Sequence, residues 1–382
     1  MTASTLISDL PRDWRSATLV GRLQYKEGPV PIAVVGGRVR DVSRHAATVS
    51  ELLSHWQGSP PPGEDLGPLE ELSISRAYES TPAVRLLAPF DLQCIKACGV
   101  TFAISAVERV IEERARGDAD QAHAIRQALS QRVGADIRSV QPGTDAAARL
   151  KAALITDGLW SQYLEVAIGP DAEVFTKSPL LASMGWGDWI GIRPDSHWNN
   201  PEPEIVLACD RQGRTLGAAL GNDVNLRDIE GRSALLLGKA KDNTGSCAIG
   251  PFIRMFDDTF SIDTVRSTVV SLEVLGEDNF QLYGDSSMSL ISRDPLELVR
   301  QTLSYHDYPD GFALFLGTMF APTQDRDAAG RGFTHKAGDV VRVTSQKLGT
   351  LVNKVTTCDR VPPWTFGVTD LMRNLASRNL LS

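Results

Sequence analysis

The segment Glu202-Pro203-Glu204, which runs directly into the apolar residues Ile-Val-Leu-Ala-Cys at 205–209, constrains the fold more than any other feature. Alternate side chains of a strand point to the same face, so Glu202 and Glu204 project together. A continuous apolar run is typical of a buried strand, whereas proline favours an edge or a strand start. Two carboxylates on one face repel each other unless a positive charge lies between them. The segment therefore predicts either a solvated sheet edge or a buried strand whose first carboxylates hold a cation.

A third carboxylate supports the cation interpretation. Asp223 follows an apolar, glycine-containing run and precedes Val224, which places it at a predicted strand end. With Glu202 and Glu204 it would supply three carboxylate oxygens, a set that suits Mg²⁺, with Mn²⁺ as a substitute. No histidine lies at a spacing that indicates zinc, and the loop residue His197 is predicted to pack or hydrogen-bond instead of binding metal.

The order of the predicted elements indicates an α+β, mainly β protein. Short β-rich runs separated by Gly and Pro begin the chain, and we expect a small N-terminal α/β domain over residues 1–87, followed by a larger domain over 88–382. Amphipathic patterns predict a helical insertion at 104–157, with helices at 104–116, 119–133 and 144–157. Because these helices are grouped and do not alternate with the strands, a doubly wound parallel sheet is disfavoured.

Composition narrows the classes of partner. The chain has 382 residues, and its 39 Lys+Arg against 47 Asp+Glu give a net charge of −8 without a basic patch, so nucleic acid is not an expected partner. No window of 18 uncharged apolar residues and no leader pattern is present, so we expect a soluble, cytoplasmic protein without a membrane partner. Five cysteines among mostly apolar neighbours suit free thiols in a reducing compartment.

Two lysines follow the acidic residues. Lys239 and Lys241 are two apart in a segment predicted to be extended, so they would share a face. Both would be solvated in the simplest interpretation. In the functional one, Lys241 neutralises excess charge at the cation site or handles a proton.

Several motifs together resemble the fumarylacetoacetate hydrolase superfamily. They are Glu202-Pro203-Glu204, "GNDVNLRD" at 221–228, Lys241 before Gly-Pro at 250–251, "VFTKSP" at 174–179 and "FALFLGTMFAP" at 312–322. The resemblance covers about residue 90 to the C-terminus. It implies a mixed β-sandwich roll, a homodimer or homotetramer, and a divalent cation held by Glu202, Glu204 and Asp223 that chelates a 2-keto acid. It also implies that Lys241 lies beside the metal and that Thr318, next to Gly317, holds the substrate carboxylate.

One departure from the family pattern bears on the reaction. Hydrolytic members carry a water-activating histidine after the first strand of this domain, whereas the corresponding residues 99–109, "GVTFAISAVER", contain none. The chain therefore resembles the branch that dehydrates small-molecule 2-keto-3-deoxy sugar acids. Two other functions stay open: a C–C bond hydrolase of an acylpyruvate or 2,4-diketo-3-deoxy sugar acid, and a non-catalytic, cation-stabilised binding protein.

Candidate residues for the dehydration follow from their positions. Lys241 and Glu108 are the candidates for proton transfer, although Glu108 could equally be an exposed neighbour of Glu112. Arg227 or Arg109 is a candidate to hold a carboxylate or hydroxyl, although Arg227 could only anchor the turn around Asp228. We further expect Thr101 and Ser105 to bind substrate.

Overall fold

The strands that carry Glu204 and Asp223 belong to the larger of two sheets that pack as a sandwich. The computed structural model describes residues 6–82, 84–125, 140–320 and 322–381. The strands are β1 (Leu19–Tyr25), β2 (Gly28–Val35), β3 (Arg38–Asp41), β4 (Glu64–Pro68), β5 (Arg85–Leu87), β6 (Cys94–Gly99), β7 (Glu173–Ser178), β8 (Trp189–Ile192), β9 (Asn199–Asn200), β10 (Pro203–Cys209), β11 (Thr215–Asp223), β12 (Asn225–Leu226), β13 (Cys247–Met255), β14 (Val269–Leu275), β15 (Gln281–Ser287), β16 (Phe312–Phe315), β17 (Val340–Ser345) and β18 (Gly349–Thr357). The helices are α1 (Val49–Ser54), α2 (Ala103–Arg114), α3 (Asp145–Thr156), α4 (Gln162–Ile168), α5 (Arg227–Glu230), α6 (Leu237–Lys241), α7 (Ile262–Ser267), α8 (Pro295–Leu303) and α9 (Val368–Ser377).

The larger sheet has the order β4-β3-β2-β1-β13-β11-β10-β16-β6-β7, with β5 paired to β1, and the second has the order β15-β14-β17-β18-β8. One core cluster joins Leu220 of the first sheet to Leu272 and Leu351 of the second, so the sheets pack face to face. A second cluster covers the other face of the larger sheet with Leu52 and Leu53 of α1. The predicted α+β, mainly β class is confirmed.

Strand β10 is an interior strand. It lies between β11 and β16, and all seven of its residues are buried. Pro203 is tolerated because it is the first residue of the strand. The solvated-edge interpretation of Glu202 and Glu204 is therefore wrong, and both carboxylates enter the protein interior.

The N-terminal strands extend the same sheet. Strand β1 pairs antiparallel with β13, with Leu19 opposite Arg254 and Val20 opposite Ile253. Strands from both sides of residue 87 thus share one ladder of hydrogen bonds. The boundary between domains 1–87 and 88–382 stays a prediction.

The helical insertion connects two paired strands. Strands β6 and β7 are antiparallel neighbours, so the chain leaves the sheet after β6 and returns beside it. Of the predicted helices, 104–116 corresponds to α2 and 144–157 to α3. Residues 119–125 are also helical, and the rest of the helix predicted at 119–133 lies outside the described residues.

The segment with the two lysines is helical, so the prediction of an extended conformation is wrong. Both residues belong to α6, and residues two apart on a helix do not share a face. Lys239 is exposed, with its Nζ 3.9 Å from Asp195 Oδ2, whereas Lys241 is buried. Only Lys241 therefore points into the interior.

Within the described ranges, no helix combines the length and the apolar character needed to cross a bilayer. The five cysteines are free thiols: Cys98, Cys209 and Cys247 are buried, and Cys94 and Cys358 are partly exposed.

Candidate metal centre and active site

The carboxylates of Glu202, Glu204 and Asp223 meet at the end of the β10–β11 pair. These strands run antiparallel with Glu204 opposite Gly221, and the Asp223 N–H donates to the Glu202 carbonyl at 3.0 Å. One oxygen from each carboxylate lies within 4.8 Å of the others, and all three residues are buried. We call this set the acidic triad. The spacing allows a single cation to contact all three side chains.

Glu204 shows that the acidic triad carries uncompensated negative charge. Its Oε2 accepts a 2.7 Å hydrogen bond from the Gly317 N–H, and among the described residues no lysine, arginine or histidine forms an ion pair with it. Burial and the charges of Asp223 and Glu202 raise its pKa well above the ordinary value. A divalent cation bound by oxygen ligands would remove this conflict, so the triad could hold such an ion.

The other two triad carboxylates have cationic neighbours. Lys241 Nζ lies 2.5 Å from Glu202 Oε2 and 3.0 Å from Asp223 Oδ2. Burial opposes ionisation of Glu202, but Lys241 and Arg109 outweigh it and lower the pKa of Glu202 to about 2. Burial also opposes the charge on Lys241, yet Asp223 and Glu202 raise its pKa above the ordinary value. Lys241 is therefore a buried side chain that is held in its charged ammonium form.

Lys177 is a site residue that motif spacing did not select. Ser178 lies opposite Ile95 and Thr176 opposite Lys96, so Lys177 is the extra residue of a β-bulge in β7. Its Nζ lies 2.7 Å from Asp223 Oδ1, and it also donates to the backbone carbonyl of Lys241. Bulges redirect a side chain, and this one turns a fully buried lysine towards the acidic triad.

A second group of charged side chains connects the helical insertion to the triad. Arg109 of α2 binds three carboxylates: Nη1 lies 2.6 Å from Glu112, Nη2 2.5 Å from Glu202 and Nε 3.2 Å from Glu230. Arg227 Nε lies 3.2 Å from the other oxygen of Glu112. We call Arg109, Glu112, Arg227 and Glu230 the paired cluster. Burial raises the pKa of Glu112 in this cluster to about 7, although the charges of Arg109 and Arg227 act to lower it.

The structure separates the two candidate arginines. Arg109 contacts a triad ligand directly. Arg227 donates to the Pro322 carbonyl at 3.2 Å and pairs with Glu112, so it lies one residue further from the triad. Asp228 does not pair with Arg227; its carboxylate accepts hydrogen bonds from Ser196 and His197.

Three of the predicted substrate-binding residues, Thr101, Gly317 and Thr318, lie around the loop after β16. Thr101 Oγ1 donates to the Leu316 carbonyl at 2.6 Å, and Thr318 Oγ1 donates to the Phe320 carbonyl at 3.0 Å. Gly317 has φ +100°, and a Cβ there would lie 1.9 Å from Thr101 Oγ1. Ser105 is further into α2, where its hydroxyl donates to the Phe102 carbonyl. Position 317 therefore requires glycine, both because of its backbone conformation and because a Cβ would clash with Thr101.

Glu108, a predicted candidate for proton transfer, and Glu173 are two further carboxyl groups of this region. Glu108 is buried on α2, so it is not the exposed neighbour of Glu112 that the sequence allowed. Glu173 lies on β7 opposite Gly99, and its Oε2 would be 1.9 Å from a Cβ at that glycine. Burial, followed by the charge of Glu230, raises the pKa of Glu173 to about 7. Glu173 and Phe175 are two residues apart in β7 and therefore share a face. Lys241 lies over the Phe175 ring, so this alternation is the sequence signal that could have placed Glu173 on the same side as Lys241.

Comparison with known families agrees with the motif resemblance. Residues 212–356 match the model described as fumarylacetoacetate hydrolase C-terminal. This part of the chain is therefore similar to the C-terminal domain of that family, as the motifs predicted.

Two relatives and one solved structure are more specific. The chain is 31% identical over 183 residues to 2-dehydro-3-deoxy-D-arabinonate dehydratase of Saccharolobus solfataricus, covering 48% of this chain and 58% of that protein. It is 33% identical over 196 residues to a probable 2-keto-3-deoxyxylonate dehydratase of Haloferax volcanii, covering 51% and 64%. These matches span less than two thirds of either relative. The structure of 2-keto-3-deoxy-D-arabinonate dehydratase complexed with magnesium and 2,5-dioxopentanoate has TM-score 0.64 and 20% identity, and the match covers 89% of this chain and 99% of that one. This likeness establishes the shared fold.

Proposed function

We propose that this chain is an Mg²⁺-dependent dehydratase that converts 2-keto-3-deoxy-D-xylonate to 2,5-dioxopentanoate (α-ketoglutarate semialdehyde) and water. The observation that carries the proposal is the buried acidic triad with Glu204 left without a cationic partner in the described structure. Support for the substrate comes from the relatives, which are named as dehydratases of 2-keto-3-deoxy and 2-dehydro-3-deoxy sugar acids. Mn²⁺ suits the same oxygen ligands and is a proposed substitute.

The two substrate names given to the relatives describe one compound. D-Xylonate and D-arabinonate differ in configuration only at C2 and C3. Both stereocentres vanish when C2 becomes a ketone and C3 a methylene, and the remaining centre at C4 is the same in the two acids. The proposal therefore makes a stereochemical claim about C4 alone.

The chain's own residues divide the work of the reaction. A cation bound by Glu202, Glu204 and Asp223 supplies Lewis acidity to the 2-keto acid, which makes the C3 proton easier to remove. The loop containing Gly317 and Thr318 lies beside Glu204, where it can hold the substrate carboxylate. The reaction then removes a C3 proton and the C4 hydroxyl, and tautomerisation converts the C5 alcohol into an aldehyde.

Three groups are proposed for proton transfer. Lys241 is a buried ammonium beside the triad, and its position suits a group that hydrogen-bonds the C4 hydroxyl and assists its departure. Glu108 remains a candidate base on α2. Glu173 is added because a pKa of about 7 leaves both protonation states populated at neutral pH.

The biological setting is proposed from the same likeness. The dehydratase would act in non-phosphorylative D-xylose breakdown in the cytoplasm, as a homodimer or homotetramer. Chemical cross-linking and light scattering on the purified chain measure the oligomeric state directly.

The first experiment compares metal-free and Mg²⁺-loaded protein with 2-keto-3-deoxy-D-xylonate, with the aldehyde oxidised by a coupled semialdehyde dehydrogenase. Metal-dependent aldehyde formation from the D-configured substrate and not from its C4 epimer is the expected result. Pyruvate or glycolate released from a 2,4-diketo-3-deoxy acid, without aldehyde, would identify a C–C hydrolase.

A variant distinguishes the enzyme from a cation-stabilised binding protein. Glu204→Gln should abolish turnover and leave the melting temperature nearly unchanged, because no cationic side chain of the described structure pairs with Glu204, whereas equal loss of both would support a scaffold role. Lys239→Gln is the matched control, because Lys239 is exposed and pairs only loosely with Asp195.

A further inference from the structure

A cavity of about 570 Å³ lies apart from the acidic triad, and none of the triad residues lines it. Strands β1 and β5 form one wall. Most of the rest comes from residues 77, 80–82, 181–184, 188–189 and 362–366. Neither the family match nor the proposed dehydration gives this cavity a role.

The register of β1 and β5 places two arginines in the cavity. Arg22 lies opposite Leu87 and Gln24 opposite Arg85 in an antiparallel pair. Directly opposed residues share a face, so these four side chains point to the same side, and all four line the cavity. The intervening residues Leu23 and Leu86 point into the core between the sheets.

Arg22 is a buried guanidinium with two nitrogens that are unpaired in the described structure. It is 6% exposed, and within the described structure its Nε and Nη1 have no hydrogen-bond acceptor. The carboxylate of Asp91 acts on it from a distance, but that carboxylate already accepts hydrogen bonds from the N–H groups of Val49, Ser50 and Leu92. Burying an unpaired charge is costly, so this group is built to meet an anion that the folded chain does not supply.

The second arginine keeps part of its charge free for a ligand. Arg85 Nε lies 3.6 Å from Asp188 Oδ1, which is longer than a hydrogen bond. The other oxygen of Asp188 accepts from the Gly185 N–H at 2.8 Å. The lining therefore contains two guanidinium groups and one carboxylate.

Aromatic and proline side chains form the apolar part of the lining. Trp189, Trp364 and Phe366 form this part together with Pro362 and Pro363. Trp364 is 48% exposed, and its indole N–H donates to the Phe366 carbonyl, which holds the ring at the mouth of the cavity. Aromatic and proline surfaces of this kind contact a planar or apolar body and not a hydrated ion.

We propose that this cavity binds a small organic anion, namely a planar or apolar body with one carboxylate or phosphate group that accepts hydrogen bonds from Arg22 and Arg85. The forked guanidinium matches both anions. The site is independent of the acidic triad and of the reaction proposed for it.

Four probes test the proposal by titration calorimetry on metal-free protein. Benzoate and phenyl phosphate carry both features, benzamide lacks the charge, and inorganic phosphate lacks the ring. Benzoate or phenyl phosphate should bind and raise the melting temperature, and the stronger of the two shows whether carboxylate or phosphate is the natural group. Equal binding of benzamide, or of inorganic phosphate, would overturn the proposal.

Variants locate the binding. Arg22→Met should fold, because it removes an unpaired buried charge, and should weaken the benzoate or phenyl phosphate complex by about ten-fold or more. Arg85→Met, at a more exposed position, should weaken the same complex and keeps the test valid if Arg22→Met does not fold. Arg38→Met, which removes the exposed Arg38–Asp65 pair of the same sheet, is the matched control and should bind normally.

Two further results would contradict the site. Loss of benzoate binding in Glu202→Gln would place the anion at the acidic triad. Dissociation of an oligomer by Arg22→Met or Trp364→Ser would show that a second copy of the chain covers this face.

Discussion

The acidic triad and the paired cluster are adjacent groups of buried charge, but they are balanced differently. In the paired cluster both glutamates contact Arg109, and Glu112 also contacts Arg227. In the triad, Glu204 has a backbone N–H and no cationic side chain among the described residues. The carboxylates of the paired cluster are therefore neutralised by side chains of the fold, whereas the triad could be neutralised by a bound cation. Matched substitutions in the two groups should have opposite consequences.

The largest effect is expected from Glu204→Gln compared with Glu112→Gln. Glu204→Gln should weaken Mg²⁺ binding on the order of a thousand-fold, because one of three charged ligands is lost, and should leave metal-free stability unchanged or higher. Glu112→Gln should instead lower the free energy of unfolding by about 3–5 kcal/mol, because it leaves the buried Arg227 without its carboxylate partner and removes one of the three carboxylates that contact Arg109. Calorimetric Mg²⁺ titration and urea unfolding measure the two quantities. If both variants changed Mg²⁺ affinity and the free energy of unfolding to the same extent, the two groups would not differ in how their charge is balanced.

Glu173, a partly buried carboxyl that forms no ion pair among the described residues, tests whether a raised pKa makes stability depend on pH. Its pKa is about 7 in the folded protein against an ordinary 4.5, so the folded state binds the extra proton. This contribution is complete below about pH 4.5 and is lost as pH rises through about 7, by up to about 3 kcal/mol. Urea unfolding of metal-free protein from pH 5 to 8 should show a smaller decline for Glu173→Gln. An identical decline in both proteins would assign the effect elsewhere.

Arg109→Lys compared with Arg227→Lys tests the contact between the two groups. A lysine at 109 keeps the charge but cannot hold Glu112, Glu202 and Glu230 at once. Because Arg109 orients a metal ligand, Mg²⁺ affinity should fall about 10- to 100-fold. Arg227→Lys, which touches no triad residue in the described structure, should leave the affinity nearly unchanged. Equal changes would mean that the cluster acts only through overall charge.

The smallest effect concerns the loop that contacts Glu204. Gly317 and Gly67 have φ +100° and +101°, but a Cβ at Gly317 would meet Thr101 and one at Gly67 would meet nothing within 4 Å. Alanine at either position incurs the cost of a left-handed conformation, about 1–3 kcal/mol. Gly317→Ala should exceed Gly67→Ala by about 1 kcal/mol or more in urea unfolding, owing to the clash. No excess would mean that the loop moves away freely.

The acidic triad was predictable because its members belong to two successive strands. Alternation places Glu202 and Glu204 on one face, and Asp223 ends the strand that pairs with them. Lys177 and Arg109 could not be placed in this way, since one depends on a β-bulge and the other on a helix docked across the sheet. The burial of β10 was also open from sequence, because Pro203 suits both a strand start and an edge. The extended interpretation of Lys239 and Lys241 failed because two-residue spacing alone does not distinguish a strand from a short helix.

The pairing of β6 with β7 has a consequence for how such a protein can diversify. Because the helical insertion begins and ends at neighbouring positions of one sheet, each doubling of its length adds only about 0.6 kcal/mol of loop-closure entropy. Insertions and deletions there leave the register of β10 and β11 untouched, yet they move α2 and with it Arg109. Selection can therefore rework one side of the centre at small thermodynamic cost, while the strands that present the three carboxylates are held by their neighbours in the sheet.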